Sequence, residues 1–149
     1  MESRFIKIVI ATIIVAFAIF YTMFITSDKE NVTNEGETSL VLNGGTYDTD
    51  VDVIVTADPD IAFEFVAEHI DSPITPRDFE ANGVTFTDEE GRIVVWISDA
   101  NDRGVVNHEL LHAAFSIMMW AGIPLNESTE ESYAYELQYL TNQFYNKIK

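Results

Sequence analysis

Two of the three histidines in this 149-residue chain lie four residues apart, in the segment His108-Glu-Leu-Leu-His112. Residues i and i+4 of an α-helix share one face, so both imidazoles can bind one ion. Zinc accepts imidazole nitrogen at roughly 2.0–2.1 Å and, in catalytic sites, keeps one position open for water. Glu109 follows His108 directly and can take a proton from that water as a general base. The spacing therefore predicts a catalytic zinc site on a helix.

The helix that carries this motif is predicted to run from Val105 to about Ala121, and nearly all its other residues are apolar. They are Leu110, Leu111, Ala113, Ala114, Phe115, Ile117, Met118, Met119 and Trp120. Because apolar residues occur on every side, we expect the helix to be buried. Two histidines and a glutamate are costly inside a protein unless they are paired or bound to metal. This expectation argues against the alternative, in which the motif is accidental.

A zinc site needs a third protein ligand, and the composition limits its type. The chain has no cysteine, and the remaining histidine, His69, is predicted in the last turn of an earlier helix, where a helix-dipole contact is its expected role. The ligand is therefore expected to be a carboxylate of the final helix, which offers Glu127, Glu130, Glu131 and Glu136. Helical spacing aligns Glu131 with the small Ala134, which favours it modestly over Glu130. Glu131 has a competing role in a capping box with Ser128.

The segments around the motif predict an α+β domain. Four short runs of apolar or alternating residues predict strands, grouped in two hairpins whose turns are Asn43-Gly44-Gly45 and Glu89-Glu90-Gly91. A helix that starts at Asp58-Pro59 separates the hairpins, and two helices follow the second hairpin. The predicted order is ββα-ββ-αα. The strand GRIVVWIS is apolar on both faces, so we expect it to be covered on both faces, or open on one to a ligand.

The first 26 residues differ from the rest because they are almost entirely apolar. The run Ile8–Ile25 contains no charged residue, and as a helix it would span most of a hydrocarbon core roughly 30 Å thick. Arg4 and Lys7 precede it, which favours a cytoplasmic N-terminus. We therefore expect residues 1–26 to be a single transmembrane anchor, with the domain outside the cytoplasm. The alternatives are a secretory signal cleaved after Ala18, which would release the domain, and a buried helix.

The rest of the chain is polar at first and acidic throughout. Residues 27–39 are too polar to fold alone and predict a tether between the anchor and a domain at 40–149. Beyond residue 26 there are six Lys and Arg against 24 Asp and Glu, a net charge of −18. Such a surface repels phosphate backbones, so we expect no nucleic-acid partner. Charge complementarity favours a neutral or basic peptide as substrate.

The motif and the final helix together resemble a known group of enzymes. HELLH, followed after a short loop by Glu131-Ser-Tyr-Ala-Tyr135, resembles the gluzincin pattern, in which HExxH precedes a helix that opens with E-x-x-A. ESYAYELQYL and GRIVVWIS also resemble segments of small HExxH proteins encoded by bacteriophages. The resemblance covers about residues 83–147. It implies a minimal zincin-like fold, zinc bound by His108, His112 and Glu131, and a strand beside the cleft that pairs with an extended substrate.

These features predict a membrane-anchored zinc metallopeptidase that cleaves amide bonds, with Glu109 as its general base. Tyr133 and Tyr135 are candidate transition-state stabilisers, because a phenol can donate to a developing oxyanion; packing is the competing role of each. The alternative function is a catalytically silent, zinc-stabilised structural or interaction module of a virion or envelope.

Overall fold

In the computed structural model, which describes residues 31–33 and 36–148, three α-helices pack on a mixed β-sheet. The strands are β1 Asn31–Thr33, β2 Glu37–Asn43, β3 Asp50–Val55, β4 Gly83–Thr87 and β5 Ile93–Ile97. The helices are α1 Pro59–His69, α2 Arg103–Trp120 and α3 Glu130–Lys147, and short 3-10 turns lie at Gly45–Tyr47 and Pro76–Phe79. The predicted α+β class is confirmed.

The N-terminal predictions concern residues that the structure describes only from Asn31 onward. The predicted membrane anchor, residues 1–26, lies outside them. Within residues 31–33 and 36–148, no helix is both long and apolar enough to cross a bilayer. Strands β1 and β2 overlap the segment predicted as a tether, residues 27–39, so the sheet begins before the predicted boundary at residue 40.

The strands lie in the order β1-β2-β3-β5-β4, and β5 pairs in parallel with β3. All other pairs are antiparallel, which confirms the two predicted hairpins, β2–β3 and β4–β5. Strand β5 is therefore an interior strand with both edges paired. Strand β4 pairs with β5 on one side only and is the edge strand next to the predicted motif.

Helix α1 covers one face of the sheet. Asp58 caps it as predicted, because its side chain accepts hydrogen bonds from the backbone N–H groups of Asp60 and Ile61. The residues buried beneath α1 include Val94 and Trp96 of β5. The indole N–H of Trp96, which would be costly to bury alone, donates to the carbonyl of Thr56 at 2.9 Å.

Helices α2 and α3 cover the opposite face. Their buried residues meet the other side of the strands in one cluster, which includes Val53, Val95, Leu110, Ala113, Ile117, Leu140 and Phe144. Each large apolar side chain buried there contributes roughly 1.5–3 kcal/mol. Strand β5 is covered on both faces, which is the first of the two arrangements predicted for it.

The start of α3 excludes the capping role considered for Glu131. The N-cap residue is Thr129 rather than Ser128, and no side chain makes a capping hydrogen bond there. Thr129 instead donates its hydroxyl proton to the carbonyl of Pro124 at 2.7 Å, which ties it to the preceding loop. The competing role of Glu131, a capping box with Ser128, is therefore excluded, and the Glu131 carboxylate does not cap the helix.

Candidate metal centre

His108 and His112 lie side by side on one exposed face of α2. Asp102 starts this helix, because its side chain accepts hydrogen bonds from the N–H groups of Gly104 and Val105. The Nε2 atoms of the two histidines are 3.2 Å apart. Two nitrogens that each lie at roughly 2.0–2.1 Å from one tetrahedral ion are about 3.3–3.4 Å apart. The separation therefore fits two ligands of a shared zinc ion.

Glu109 is nearly completely buried, with 5% of its surface exposed. Its Oε2 atom lies 2.9 Å from the hydroxyl oxygen of Thr85 on β4, which is also 3.0 Å from the Glu109 carbonyl oxygen. Within the described part of the chain, Glu109 Oε1 accepts no hydrogen bond. Thr85 thus fixes one carboxylate oxygen and leaves the other available to accept a proton.

Close packing between β4 and α2 depends on the absence of a side chain at Gly83. A β-carbon there would lie 2.7 Å from Val105 Cγ1 and 2.9 Å from Glu109 Cγ, well inside contact distance. Glycine therefore lets the edge strand approach the helix at the level of Glu109. Neither Gly83 nor Thr85 was identified from the sequence, where they are ordinary members of a short strand.

An open groove of about 880 Å³ runs between β4 and α2 and contains His108, Glu109 and His112 among its lining residues. Its apolar side is the exposed stripe of α2, which we define as Leu111, Phe115, Met119 and Trp120, with 36–57% of each residue exposed. The prediction that α2 is buried on all sides is therefore wrong. An apolar strip of this kind beside polar groups is typical of a binding groove.

The strand that borders the groove is also different from the one expected. The sequence favoured GRIVVWIS, which forms β5, but both edges of β5 are paired within the sheet. Its backbone groups cannot accept a further strand. The groove is bordered instead by β4, whose outer edge has no strand partner among residues 31–33 and 36–148.

The predicted third ligand does not meet the histidine pair. Glu131 and Glu130 are both exposed in the first turn of α3. In the part of the chain that the structure describes, no group of three or more His, Asp or Glu side chains is arranged to hold a metal ion. The structure therefore brings together His108, Glu109 and His112, and leaves Glu131 apart from them.

Neither candidate tyrosine is among the residues that line the groove. The hydroxyl of Tyr133 donates to the carbonyl of Ile123 at 2.6 Å, and its ring packs on Phe115 with a centroid distance of 4.8 Å. Tyr133 therefore joins α3 to α2 one helical turn beyond His112. Tyr135 is 67% exposed and lines a second cavity, between the Gly45–Tyr47 turn and α3.

His69 lies at the end of α1, on the other side of the sheet from α2. Its Nδ1 atom is 2.7 Å from the carbonyl oxygen of Phe65, and the two rings stack. The carbonyl of Phe65, in the same helix, therefore occupies one of the two ring nitrogens of His69.

Comparisons with known proteins returned no match: no protein-family model, no curated protein and no solved structure is significantly similar to this chain. The likeness to gluzincins consequently depends on the motif residues alone.

Proposed function

We propose that this chain is a zinc-dependent hydrolase, a metallopeptidase of gluzincin type, with His108, Glu109 and His112 at its centre. One observation carries the proposal: two imidazole nitrogens lie 3.2 Å apart in an open groove, beside a buried carboxylate that a threonine holds in place. A pair of histidines without such a neighbour would indicate metal binding only. The buried carboxylate next to them adds the base that hydrolysis requires.

The two histidines would hold the ion through their Nε2 atoms, and we propose Glu131 as the third ligand. When bound, zinc would supply a water of lowered pKa and a Lewis acid for the substrate carbonyl. Glu109 would accept the proton at Oε1, because Thr85 occupies Oε2. For Glu131 to complete the site, its exposed side chain or the first turn of α3 must reorient when metal binds.

The groove favours an extended peptide with bulky apolar side chains. A peptide can add to the outer edge of β4 through backbone hydrogen bonds, while its side chains contact the exposed stripe of α2. The acidic surface favours neutral or basic sequences near the cleavage site. We also propose that residues 1–26 anchor the domain to a membrane and place it outside the cytoplasm.

A zinc-stabilised interaction module is the second candidate function. The exposed stripe of α2 favours it, because an apolar strip of this kind can bind a partner protein without turnover. The two functions differ in what they require of Glu109: hydrolysis needs a carboxylate there, whereas a binding module does not.

The test compares cleavage and metal content in the full chain, purified in non-ionic detergent without added metal. Wild type is expected to carry about one zinc per chain and to cleave a library of neutral and basic peptides. Glu109→Gln should keep its zinc and lose cleavage by about 10²–10⁴-fold. Glu64→Gln makes the same chemical change on the exposed surface of α1 and should behave as wild type.

The outcomes separate the candidates. Equal cleavage by wild type and Glu109→Gln would favour the interaction module. A content near zero zinc ions per chain would contradict both candidate functions, because each includes a zinc site. The third ligand has its own test: Glu131→Ala should weaken zinc retention more than Glu130→Ala. The reverse order would assign the ligand to Glu130.

A further inference from the structure

Another buried carboxyl group, Glu136 on α3, lies outside the groove and, unlike buried Asp88, has no arginine beside it among the residues that the structure describes. Only 6% of its surface is exposed, and its Oε1 atom is buried without a hydrogen-bond partner. Burial raises the pKa of Glu136 to about 7, because the carboxylate has lost its hydration. A buried acid without a partner is costly, so its presence calls for an explanation that packing does not supply.

Glu136 lines the second cavity, which has a volume of about 700 Å³ and shares no lining residue with the groove. Three tyrosines also line this cavity: Tyr47 from the 3-10 turn, and Tyr135 and Tyr139 from α3. The other lining side chains are neutral, and include Ser132, Gln138 and Asn142. No Lys, Arg or His contributes to the lining as far as the chain is described, so Glu136 has no cationic neighbour there.

The walls of this cavity are held by specific contacts. The Gln143 side chain accepts a hydrogen bond from the Asn43 backbone N–H at 3.0 Å and donates to the Asn43 carbonyl at 2.7 Å. The Asn43 side chain in turn accepts from the N–H of Gly45 at 2.7 Å. Gly45 has a φ of +62°, and the ring of Tyr139 lies 3.1 Å from where a β-carbon would be. The turn and α3 are thus fixed against each other, and the cavity is preformed.

We propose that this cavity binds an organic cation, a primary ammonium or guanidinium group on an alkyl chain. Such a group placed against Glu136 restores the counterion that the carboxylate lacks. Tyrosines line the cavity, and an aromatic ring attracts a positive charge placed over its face. The neutral amide side chains of Gln138 and Asn142 can accept its remaining hydrogen bonds. An anion would meet an unpaired acid and a strongly acidic surface, and an apolar ligand would leave the carboxyl without a partner.

The cation can come from a free amine or from a lysine or arginine side chain of a protein, and the probes distinguish these sources. N-acetyl-lysine methylamide carries both the ammonium group and a peptide backbone. n-Butylammonium carries only the alkyl ammonium group, and N-acetyl-norleucine methylamide carries only the alkyl chain with the backbone. Binding of each to the full chain in non-ionic detergent is measured by ligand-observed NMR at pH 8.5, where Glu136 is ionised, and at 0.15 M salt, which screens the general acidic surface.

The lysine probe is expected to bind about tenfold or more tightly than the norleucine probe, because a contact between charged groups is lost in the latter. If n-butylammonium binds as well as the lysine probe, the site is specific for a free amine. A preference for the lysine probe over n-butylammonium would indicate a protein side chain. Equal binding of the lysine and norleucine probes would overturn the proposal, as would the absence of any binding by either cation.

Three variants assign the binding to this cavity. Glu136→Gln keeps the shape of the side chain and should weaken the lysine probe about tenfold. Tyr139→Leu replaces a partly exposed ring with another apolar side chain and should weaken binding of the lysine probe about two- to fivefold, which tests the site even if Glu136→Gln folds poorly. Glu64→Gln, which removes one acid from α1, should leave the affinity unchanged. Retention of full affinity by folded Glu136→Gln would show that the cation binds elsewhere and would refute the assignment.

Discussion

Glu109 and Glu136 are both nearly completely buried, on two helices that pack against each other, yet their surroundings differ. Glu109 is hydrogen-bonded by Thr85 and lies in the groove beside His108 and His112. Glu136 has a buried oxygen without a partner and lies among tyrosines. Burial of an acid therefore does not by itself indicate its chemistry. The partner is what differs, and on this difference we propose that Glu109 accepts a proton and that Glu136 binds a cation.

The largest effect is expected at the metal pair. His112→Ala should weaken zinc binding on the order of 10³-fold, because a structural zinc site shares roughly 10–16 kcal/mol among its ligands. Competition with a chromogenic chelator measures the affinity. His69→Ala is the matched control, since His69 contacts Phe65 and should not affect zinc. If His112→Ala and His69→Ala bind zinc equally well, His112 is not a zinc ligand. Glu109 would then have no metal beside it, and the proposed difference between Glu109 and Glu136 would be lost.

The next effect concerns stability at Glu136, where burial raises the pKa to about 7 from 4.5. Below pH 4.5 the carboxyl is protonated in the folded and unfolded states, and burial has little cost. Between about pH 4.5 and 7 only the unfolded state ionises, so stability falls by about 1.4 kcal/mol per pH unit, to a total of about 3 kcal/mol. Glu136→Leu should lack this fall.

Urea unfolding at pH 5 and pH 8 measures the difference between wild type and Glu136→Leu. The variant should gain about 2–3 kcal/mol relative to wild type between the two pH values. Glu64→Gln should follow the wild-type pH dependence, since Glu64 is exposed. A Glu136→Leu profile parallel to that of wild type would mean that Glu136 is as well solvated or paired as an ordinary acid.

A smaller effect is expected when the support of Glu109 is removed. Thr85→Val deletes the hydroxyl that binds Oε2, and cleavage should fall about 10–100-fold while zinc affinity changes little. Thr85→Ser retains the hydroxyl and should recover most of the activity. The kcat and KM values of both variants, with zinc content, provide the measurement. If Thr85→Val and Thr85→Ser are equally active, the hydrogen bond does not position the base.

The smallest effect is expected at Tyr133, whose hydroxyl donates to the carbonyl of Ile123. Tyr133→Phe should lower the free energy of unfolding by about 1 kcal/mol, because one partly buried hydrogen bond is lost. Thermal or urea unfolding detects the change, and Tyr135→Phe, on an exposed ring, is the control. A large loss of cleavage without a loss of stability would instead support the role of Tyr133 as a transition-state stabiliser.

Much of the local structure follows from the sequence. The ββα-ββ-αα order from residue 37 onward, both hairpins and the Asp58 cap depend on residues close together in the chain, and all are present; strand β1, which precedes them, was not predicted. The spacing of His108 and His112 required only that the segment be helical, since helical geometry then places both rings on one face. The apolar residues on both sides of β5 likewise predicted a strand covered on both faces or open on one to a ligand, and the first of these is observed.

The tertiary structure decided what these elements face. Strand β5 is interior because β3, some forty residues earlier, pairs with its free side. That pairing makes β4 the edge strand and brings Thr85 to Glu109. The apolar stripe of α2 is exposed because the sheet and α3 cover only part of a helix that is apolar all round. Sequence periodicity does not show which apolar side of such a helix is covered. It also does not show what surrounds Glu131 or Glu136, because their neighbours come from chain segments distant in sequence.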